Sequence, residues 1–583
     1  VQQASINVAG KDETGQKGTA LLMATENITV KGANFNIKGD AALQAGDKLN
    51  LDTIETQNKE HYVSNADNYY KLAQKQEVGS QLNVTGNFDA IGKSAVEMRG
   101  VSVTSNGTMN VMSEGNINIQ EARYKEQLSS GSKSKSRGLT SSTTEVYRHK
   151  HDYDVAEASN LDADKIYLHS SKGNVTIQGS NVAAGNGLTV KAKNIDIREA
   201  ENRVYSDDYY SKKKSGMLGG GIGVTLGSQK QTTESDQTKL YAQGSQVGSL
   251  SGNTTMIAEN TYTQTASKVS AIKDGDVNIL AKKVDIKAAD DKYETNTKQT
   301  FEQKGLTIAI TSPVISAIQA AQGVVQSTRQ VGESKHGRVN AMAAANAGFD
   351  AYRAYQSGTK AVTDVKDFMN GEGDVDSLIG VQITYGQQKN ESRTHTEGKT
   401  AAKSQVNAGG KVNVVAMGAG KDSNINIEGS DISGKQGTTL MADNQVNIKA
   451  VEQNHQESST NKSSGFNAGV AIKVSNGEAA GVTLGGNYGK GYGNGDETTY
   501  VASHVGDSQS KTVVKAGGDV TLAGSQVKGK GVELDAENLK IESLQDKSRY
   551  HGKQMNVSGS VTVGYGFAAG GSFNKSKVNT DYA

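Results

Sequence analysis

Pairs of apolar residues separated by one polar residue recur along the chain, each followed by a glycine or alanine step, a small residue and another apolar residue. The four clear copies are Ile28-Thr29-Val30-Lys31-Gly32-Ala33-Asn34-Phe35, Val175-Thr176-Ile177-Gln178-Gly179-Ser180-Asn181-Val182, Ile425-Asn426-Ile427-Glu428-Gly429-Ser430-Asp431-Ile432 and Val520-Thr521-Leu522-Ala523-Gly524-Ser525-Gln526-Val527. Val96 to Val101 is a degenerate fifth. A second apolar pair lies downstream of each clear copy: Leu49 and Leu51, Ile195 and Ile197, Val446 and Ile448, Leu539 and Ile541. From Val30 to Leu51, Ile177 to Ile197, Ile427 to Ile448 and Leu522 to Ile541 the step is about 20 residues. Apolar residues two apart share one face of a strand, and the Gly and Asn between pairs permit left-handed corners. Coils stacked at a strand spacing of about 4.8 Å pair every strand with the coils above and below, and these eight residues become rungs of an inward ladder. The predicted fold is all-β, a right-handed parallel β-helix of about 20 residues per coil with β-hairpin excursions and one α-helical insert. Roughly 15 coils would make a rod on the order of 70 Å long.

Polar stretches rich in Tyr, Lys and Ser interrupt the coils at Tyr62 to Gln76, Arg203 to Lys214, Asp291 to Lys304, Glu452 to Ser464 and Gln545 to Lys553. Several lead into Gly and an alternating segment. In the clearest, Phe466, Ala468, Val470, Ile472 and Val474 share a face, Asn476-Gly477 supplies a turn, and Ala480, Val482, Leu484 and Tyr488 continue the face. Asn-Gly between alternating runs is a strong hairpin signal. Similar single runs are Leu218, Ile222, Val224 and Leu226, and Val557, Val561, Val563, Tyr565 and Phe567. These runs fit hairpins that pack along the side of the tube as a second layer. They also fit metastable strands that enter an outer membrane, where about 10 alternating residues with interfacial aromatics suffice. Composition leaves both readings open.

One segment breaks the β pattern. From Pro313 to about Met369 the chain is Ala-rich, with Ile315, Ile318, Val324, Val325, Met342, Ala345, Phe349, Tyr352 and Tyr355 at helical spacing. Pro313 suits a first helical turn and Gly371-Glu372-Gly373 a last one. The expected organisation is β-helix with excursions over 1–310, two or three helices over 311–375 as a cap or a partner-binding bundle, and β-helix with excursions over 376–583.

Composition supports a thin shared core. Only 34% of the 583 residues are apolar and 5% aromatic, yet there is one Pro, and 63 basic residues nearly cancel 62 acidic ones. A narrow tube needs one or two inward residues per strand, so low hydrophobicity is no obstacle. The balanced charge gives no general attraction to nucleic acid. The absence of Cys excludes disulfides, thiolate metal sites and cysteine nucleophiles, and suits a chain that must thread a secretion channel unfolded. No apolar run approaches the roughly 18 residues of a spanning helix. The first residue is Val and the last Ala583, with no basic-then-apolar leader, so the chain reads as an internal fragment.

Candidate chemistry is sparse. Arg148-His149-Lys150-His151, the only local pair among nine His, reads as a solvated basic turn in preference to a metal site. Gly493-Asn494-Gly495-Asp496 resembles half of one calcium-binding repeat that needs tandem copies. Gly221-Ile222-Gly223 lacks the third glycine of a dinucleotide fingerprint. The outward positions in Asn116-Ile117-Asn118-Ile119 and Asp276-Val277-Asn278-Ile279 hold no carboxylate pair suited to the acid and base roles of β-helical polysaccharide lyases. The reading is a non-enzyme with no catalytic residue, cofactor or metal.

The motif copies, the Tyr/Lys/Ser excursions with Gly-rich strands, and the segment Phe573 to Ala583 resemble the haemagglutinin-repeat region of filamentous-haemagglutinin-like exoproteins of two-partner secretion. Within them, the chain is most similar to the second repeat region of the contact-dependent growth inhibition effectors. The resemblance implies an outer-membrane two-partner transporter and a secreted or cell-surface location, with storage in the periplasm before delivery. It implies association with the target cell's outer membrane, where the region aids translocation of a C-terminal toxin domain that lies outside this chain and has its own immunity protein. The alternative is a passive adhesin or haemagglutinin rod. No functional residue can be carried over singly.

Overall fold

The structure, a computed structural model, describes residues 2–10, 18–219, 223–309, 381–472, 481–563 and 567–582. The expected helical insert, 311–375, lies outside the described residues. Each coil contributes three short strands. The first ladder runs in twelve parallel rungs from Ser5–Val8 to Gln526–Val527. A 22-stranded sheet forms the other two walls. It holds two parallel ladders, because Leu188–Arg198 and Thr254–Thr265 bend at the corner and serve in both. Twelve coils are described, fewer than the spacing suggested, because more of the chain leaves the tube than the polar stretches indicated. At about 4.8 Å per coil the rod is about 55 Å long.

The ladder pairs read from spacing are register partners: Val30 with Leu51, Ile177 with Ile197, Ile427 with Ile448 and Leu522 with Ile541. Leu51, Ile177, Ile197, Ile427 and Ile448 are fully buried and Val30 nearly so. Leu522 is partly buried, and Ile541 is 62% exposed. The strand holding Ile541, Leu539–Glu542, has a partner on one side only among the described residues, so its inward face lacks the rung that would cover it. Outward positions are tied between coils by amides: Asn447 donates to Asn426 at 2.9 Å, and Asn426 to Asp285 at 2.7 Å. The coil of Lys268–Lys287 stacks directly on that of Gln405–Glu428, so the ladders pass residues 310–380 without a break.

Coil joins alternate between two kinds. In one, a residue with positive φ turns the chain straight into the next coil: Gly32, Gly100, Gly179, Ala266, Gly429 and Gly524. This is the motif glycine, with Ala266 (φ 43°) in its place once. At Gly429 (φ 55°) an added Cβ would lie 2.4 Å from Val451 Cγ1, which crosses above the corner. Gly429→Ala should therefore destabilise this corner by about 1–2 kcal/mol from the backbone strain alone. Faster hydrogen exchange in Asp431–Gly434 and Val451–Ile472 is the expected readout.

In the other kind of join the chain leaves the tube as a hairpin after every second coil. The six hairpins pair Ile54–Val63 with Tyr69–Val78, Ala122–Arg137 with Ser141–Glu157, Ala200–Gly219 with Gly223–Gln243, Ala289–Ala309 with Val381–Ala402, Val451–Ile472 with Gly481–Val501 and Lys547–Val563 with Phe567–Tyr582. Adjacent hairpins also pair with each other, giving one antiparallel sheet of twelve strands. Two coils advance about 9.6 Å along the rod, and a hairpin adds two strands of the same spacing, so tube and sheet grow in step.

A small residue before every first-ladder strand but Ser102–Ser105, which follows Val101, closes the polar account of the corner. Ser159, Ser180, Ser245, Ser267, Ser404, Ser430 and Ser503 are fully buried. Ser245 Oγ accepts from the Ser180 N–H at 3.1 Å and donates to the Arg198 carbonyl at 2.8 Å. Ser159, Ser404 and Ser503 likewise donate to Gln120, Lys287 and Lys449 carbonyls.

Candidate functional site

The hairpin sheet stands off the rod as a fin. No hairpin strand packs extensively on a coil strand among the described residues, so the expected second layer along the tube is not formed. Both faces of the fin are open to water, and near the rod both are polar. One carries charge, as in Glu302 with Lys389 at 2.9 Å and Glu234 with Lys298 at 3.3 Å. Exposed pairs of this kind contribute little each, and the long backbone ladders supply most of the cohesion. The other face carries charge over the second and third hairpins, where Lys212 pairs with Glu145, and is mostly uncharged over the later ones. Gly489, Gly491, Gly493 and Gly495 alternate along one strand there, and Tyr550, opposite Gly495, lays its hydroxyl 2.6 Å from where a Cβ on Gly493 would stand. The Gly493-Asn494-Gly495-Asp496 segment is thus mid-strand.

Composition changes abruptly towards the tip. Across the eight strands of the last four hairpins, successive register partners are Met217, Leu226, Leu306, Tyr385, Ala468, Leu484, Val561 and Ala569. Two residues further out the row reads Gly219, Val224, Ile308, Ile383, Val470, Val482, Val563 and Phe567. The interleaved positions belong to the opposite face and, Asn467 and Leu218 apart, are small or hydroxylic: Gly216, Gly227, Gly305, Gly386, Asn467, Gly485, Ser560 and Gly570, then Leu218, Thr225, Thr307, Thr384, Gly469, Thr483, Thr562 and Ala568. Leu226, Leu306, Tyr385, Phe466, Tyr488 and Val561 are exposed, and Leu484 is 60% exposed.

The residues singled out from sequence lie around this tip, with two rearrangements. Phe466, Val470 and Ile472 lie on one strand and Val482, Leu484 and Tyr488 on its partner, while Val474 is outside the described residues. The run Leu218 to Leu226 is not one strand. It is divided between two antiparallel strands, where Leu218 pairs with Thr225 and Leu226 with Met217, and Ile222 is outside the described residues. Likewise Val561 and Val563 are on one strand, Phe567 on the next, and Tyr565 lies between them outside the described residues. The alternation runs on from one strand into the next, which hides the boundary between them from a periodicity reading.

His149 and His151 are on the return strand of the second hairpin, not in a turn. His151 is 7% exposed. Its neighbour Glu126 also accepts from Tyr124 and Gln74. Burial acts to raise the Glu126 carboxyl, but these bonds and the one from His151 outweigh it and hold the group below the usual carboxylate range. Burial, with the Glu126 charge, pushes the Tyr124 hydroxyl up to about 12. The second hairpin was missed from sequence because its strands are polar on both faces. The signal present was Ser directly before a polar residue and Leu or Val, as in Ser80-Gln81-Leu82, Ser159-Asn160-Leu161, Ser245-Gln246-Val247, Ser404-Gln405-Val406 and Ser503-His504-Val505, which marks each return to the tube.

A family model described as Hemagglutinin repeat matches residues 62–148, 140–306 and 385–557. The chain belongs to this haemagglutinin-repeat family. Each matched stretch of the repeat begins in one hairpin and ends in another. Among relatives, the chain is 31% identical over 424 residues to a Deoxyribonuclease CdiA of Yersinia pseudotuberculosis, covering 71% of the chain and 38% of that protein. It is 32% identical over 454 residues to a tRNA nuclease CdiA of Escherichia coli O6:K15:H31, covering 76% and 13%. A 16S rRNA endonuclease CdiA of Enterobacter cloacae is 31% identical over 482 residues, covering 79% and 14%. The haemagglutinin-repeat chain is therefore CdiA-like and spans well under half of each relative. No solved structure matches it.

Proposed function

We propose that this repeat region is a scaffold and delivery element of a CdiA-like effector in contact-dependent growth inhibition, and that the fin tip is the part that associates with a target cell's outer membrane. The observation carrying this is the one-sided apolar patch eight strands wide, far larger in extent than the scattered apolar residues of an ordinary surface. Apolar residues on one face and Gly or Thr on the other match the alternation of outer-membrane strands. From Gly481 to Tyr488 the segment spans about 25 Å, the height of such a membrane's apolar band. By the same kinship, the whole protein would be secreted to the cell surface through a two-partner transporter and carry a C-terminal toxin with an immunity protein. The relatives are named for three different nuclease activities while matching this chain equally well, so what they share with it is not the nuclease.

Flotation with vesicles of phosphatidylethanolamine and phosphatidylglycerol tests the tip. The chain should float, and Leu306→Asn with Leu484→Asn should weaken partition at least tenfold, since each Leu buried in hydrocarbon contributes about 1.5–3 kcal/mol. Failure of the parent chain to float, before and after mild unfolding and refolding, would remove the membrane role.

A further inference from the structure

The geometry points to a binding site for a divalent transition-metal ion of tetragonal preference, such as Cu(II), between His149 and His151 on the fin. The two residues are two apart on one strand and therefore on the same face. His149 Nδ1 lies 2.7 Å from Asp208 Oδ1, and His151 Nε2 lies 2.7 Å from Glu126 Oε1. The remaining ring nitrogens, His149 Nε2 and His151 Nδ1, face each other at 3.0 Å.

Hydrogen bookkeeping makes this arrangement incomplete as it stands. A neutral imidazole has one N–H, and an ionised carboxylate can only accept. With both rings neutral and both carboxylates ionised, each N–H goes to its carboxylate and leaves two facing lone pairs, which a proton shared on the line between them or a metal ion bonded to both from beside it would satisfy. A carboxylate on the outer nitrogen is the arrangement that orients metal-bound imidazoles and raises their basicity. With metal–nitrogen bonds of about 2.0–2.1 Å, a 3.0 Å separation subtends about 94° at the ion. That is the angle between adjacent positions of a square plane, which suits Cu(II) or Ni(II), whereas tetrahedral zinc would need the nitrogens about 3.3 Å apart.

Charge and shelter agree. Glu126 and Asp208 supply two negative charges, and a divalent ion cancels both. Tyr153 stacks on His151 at 4.2 Å and Tyr147 on His149 at 6.3 Å, so the rings are held in place before any ion arrives. Among the described residues no three His, Asp or Glu side chains converge as metal ligands, so water or a small external ligand would complete the shell. Bound there, the ion would tie three strands through its ligands and their carboxylates: Glu126 in Ala122–Arg137, both His in Ser141–Glu157 and Asp208 in Ala200–Gly219.

The full chain, prepared without a histidine tag, is titrated with Cu(II) and followed by electron paramagnetic resonance and calorimetry. One equivalent should bind with a tetragonal signal split by two nitrogens and slow hydrogen exchange across the Ser141–Glu157 seam. His149→Gln with His151→Gln should weaken that equivalent at least 100-fold. Glu126→Gln, which keeps both ligands, should weaken it 10- to 100-fold. Equal copper uptake by the parent and the double variant, or no effect of copper on exchange at that seam, would overturn the assignment and leave a shared proton as the occupant.

Discussion

Ile427→Asp should loosen three consecutive coils. Ile427 is fully buried and its register partners are Ile286 below and Ile448 above, both fully buried. A carboxylate placed there has an aliphatic residue on either side in its ladder, and the nearest polar side chain of that ladder, Gln264 beside Ile286, already donates to the Ser267 and Gln405 carbonyls. Leaving such a charge unpaired costs about 3–5 kcal/mol, less whatever the group recovers by taking up a proton. In a stack where each coil touches only its neighbours, the damage stays local. Hydrogen exchange should accelerate in Val284–Lys287, Ile425–Glu428 and Val446–Lys449, while Phe88–Gly92, several coils away, keeps its protection. Uniform protection throughout would mean that Ile427 does not face inward.

Ser245→Ala should cost about 1–3 kcal/mol although it removes one atom. The hydroxyl is the acceptor for the Ser180 N–H and the donor to the Arg198 carbonyl, both inside the corner. Without it the Ser180 N–H is stranded away from water, at about 1–3 kcal/mol, while the Arg198 carbonyl keeps its bond from the Gly179 N–H at 3.0 Å. Because the hydroxyl joins the strand leaving one coil to the strand entering the next, the expected sign is earlier proteolysis at the third hairpin, Ala200–Gln243, with the tube still folded. Full protease resistance of that hairpin would show that water replaces the hydroxyl.

The two variants also show which parts of the molecule can be read from its sequence. Ile427 was placed by counting, since a coil repeats its inward pair at nearly constant spacing and burial favours aliphatic residues there, with the hydrogen-bonded pair Tyr262 and Gln264 as an exception. Ser245 was not, because one buried hydroxyl leaves no periodic trace, although the same rule put Ala33, Ser180, Ser430 and Ser525 in the small position of the motif. The fin was legible only at its tip. Over Ala122–Glu157 both faces meet water, so no apolar period exists to mark a strand, and His149 and His151 read as a turn. Ile541 followed the count and broke the expectation, since burial depends on a neighbouring rung as well as on register.

The alternation of two coils with one hairpin gives the chain a unit of length. Tube and fin are two racks with a common pitch, fixed to each other at six places. Removing a single coil would shorten one rack by about 4.8 Å and leave the other unchanged, so a fin seam would have to open or slip by one strand. Removing two coils together with their hairpin disturbs neither. Natural variation in the length of such chains is therefore expected to come in whole modules, and a designed truncation should be cut at the same points.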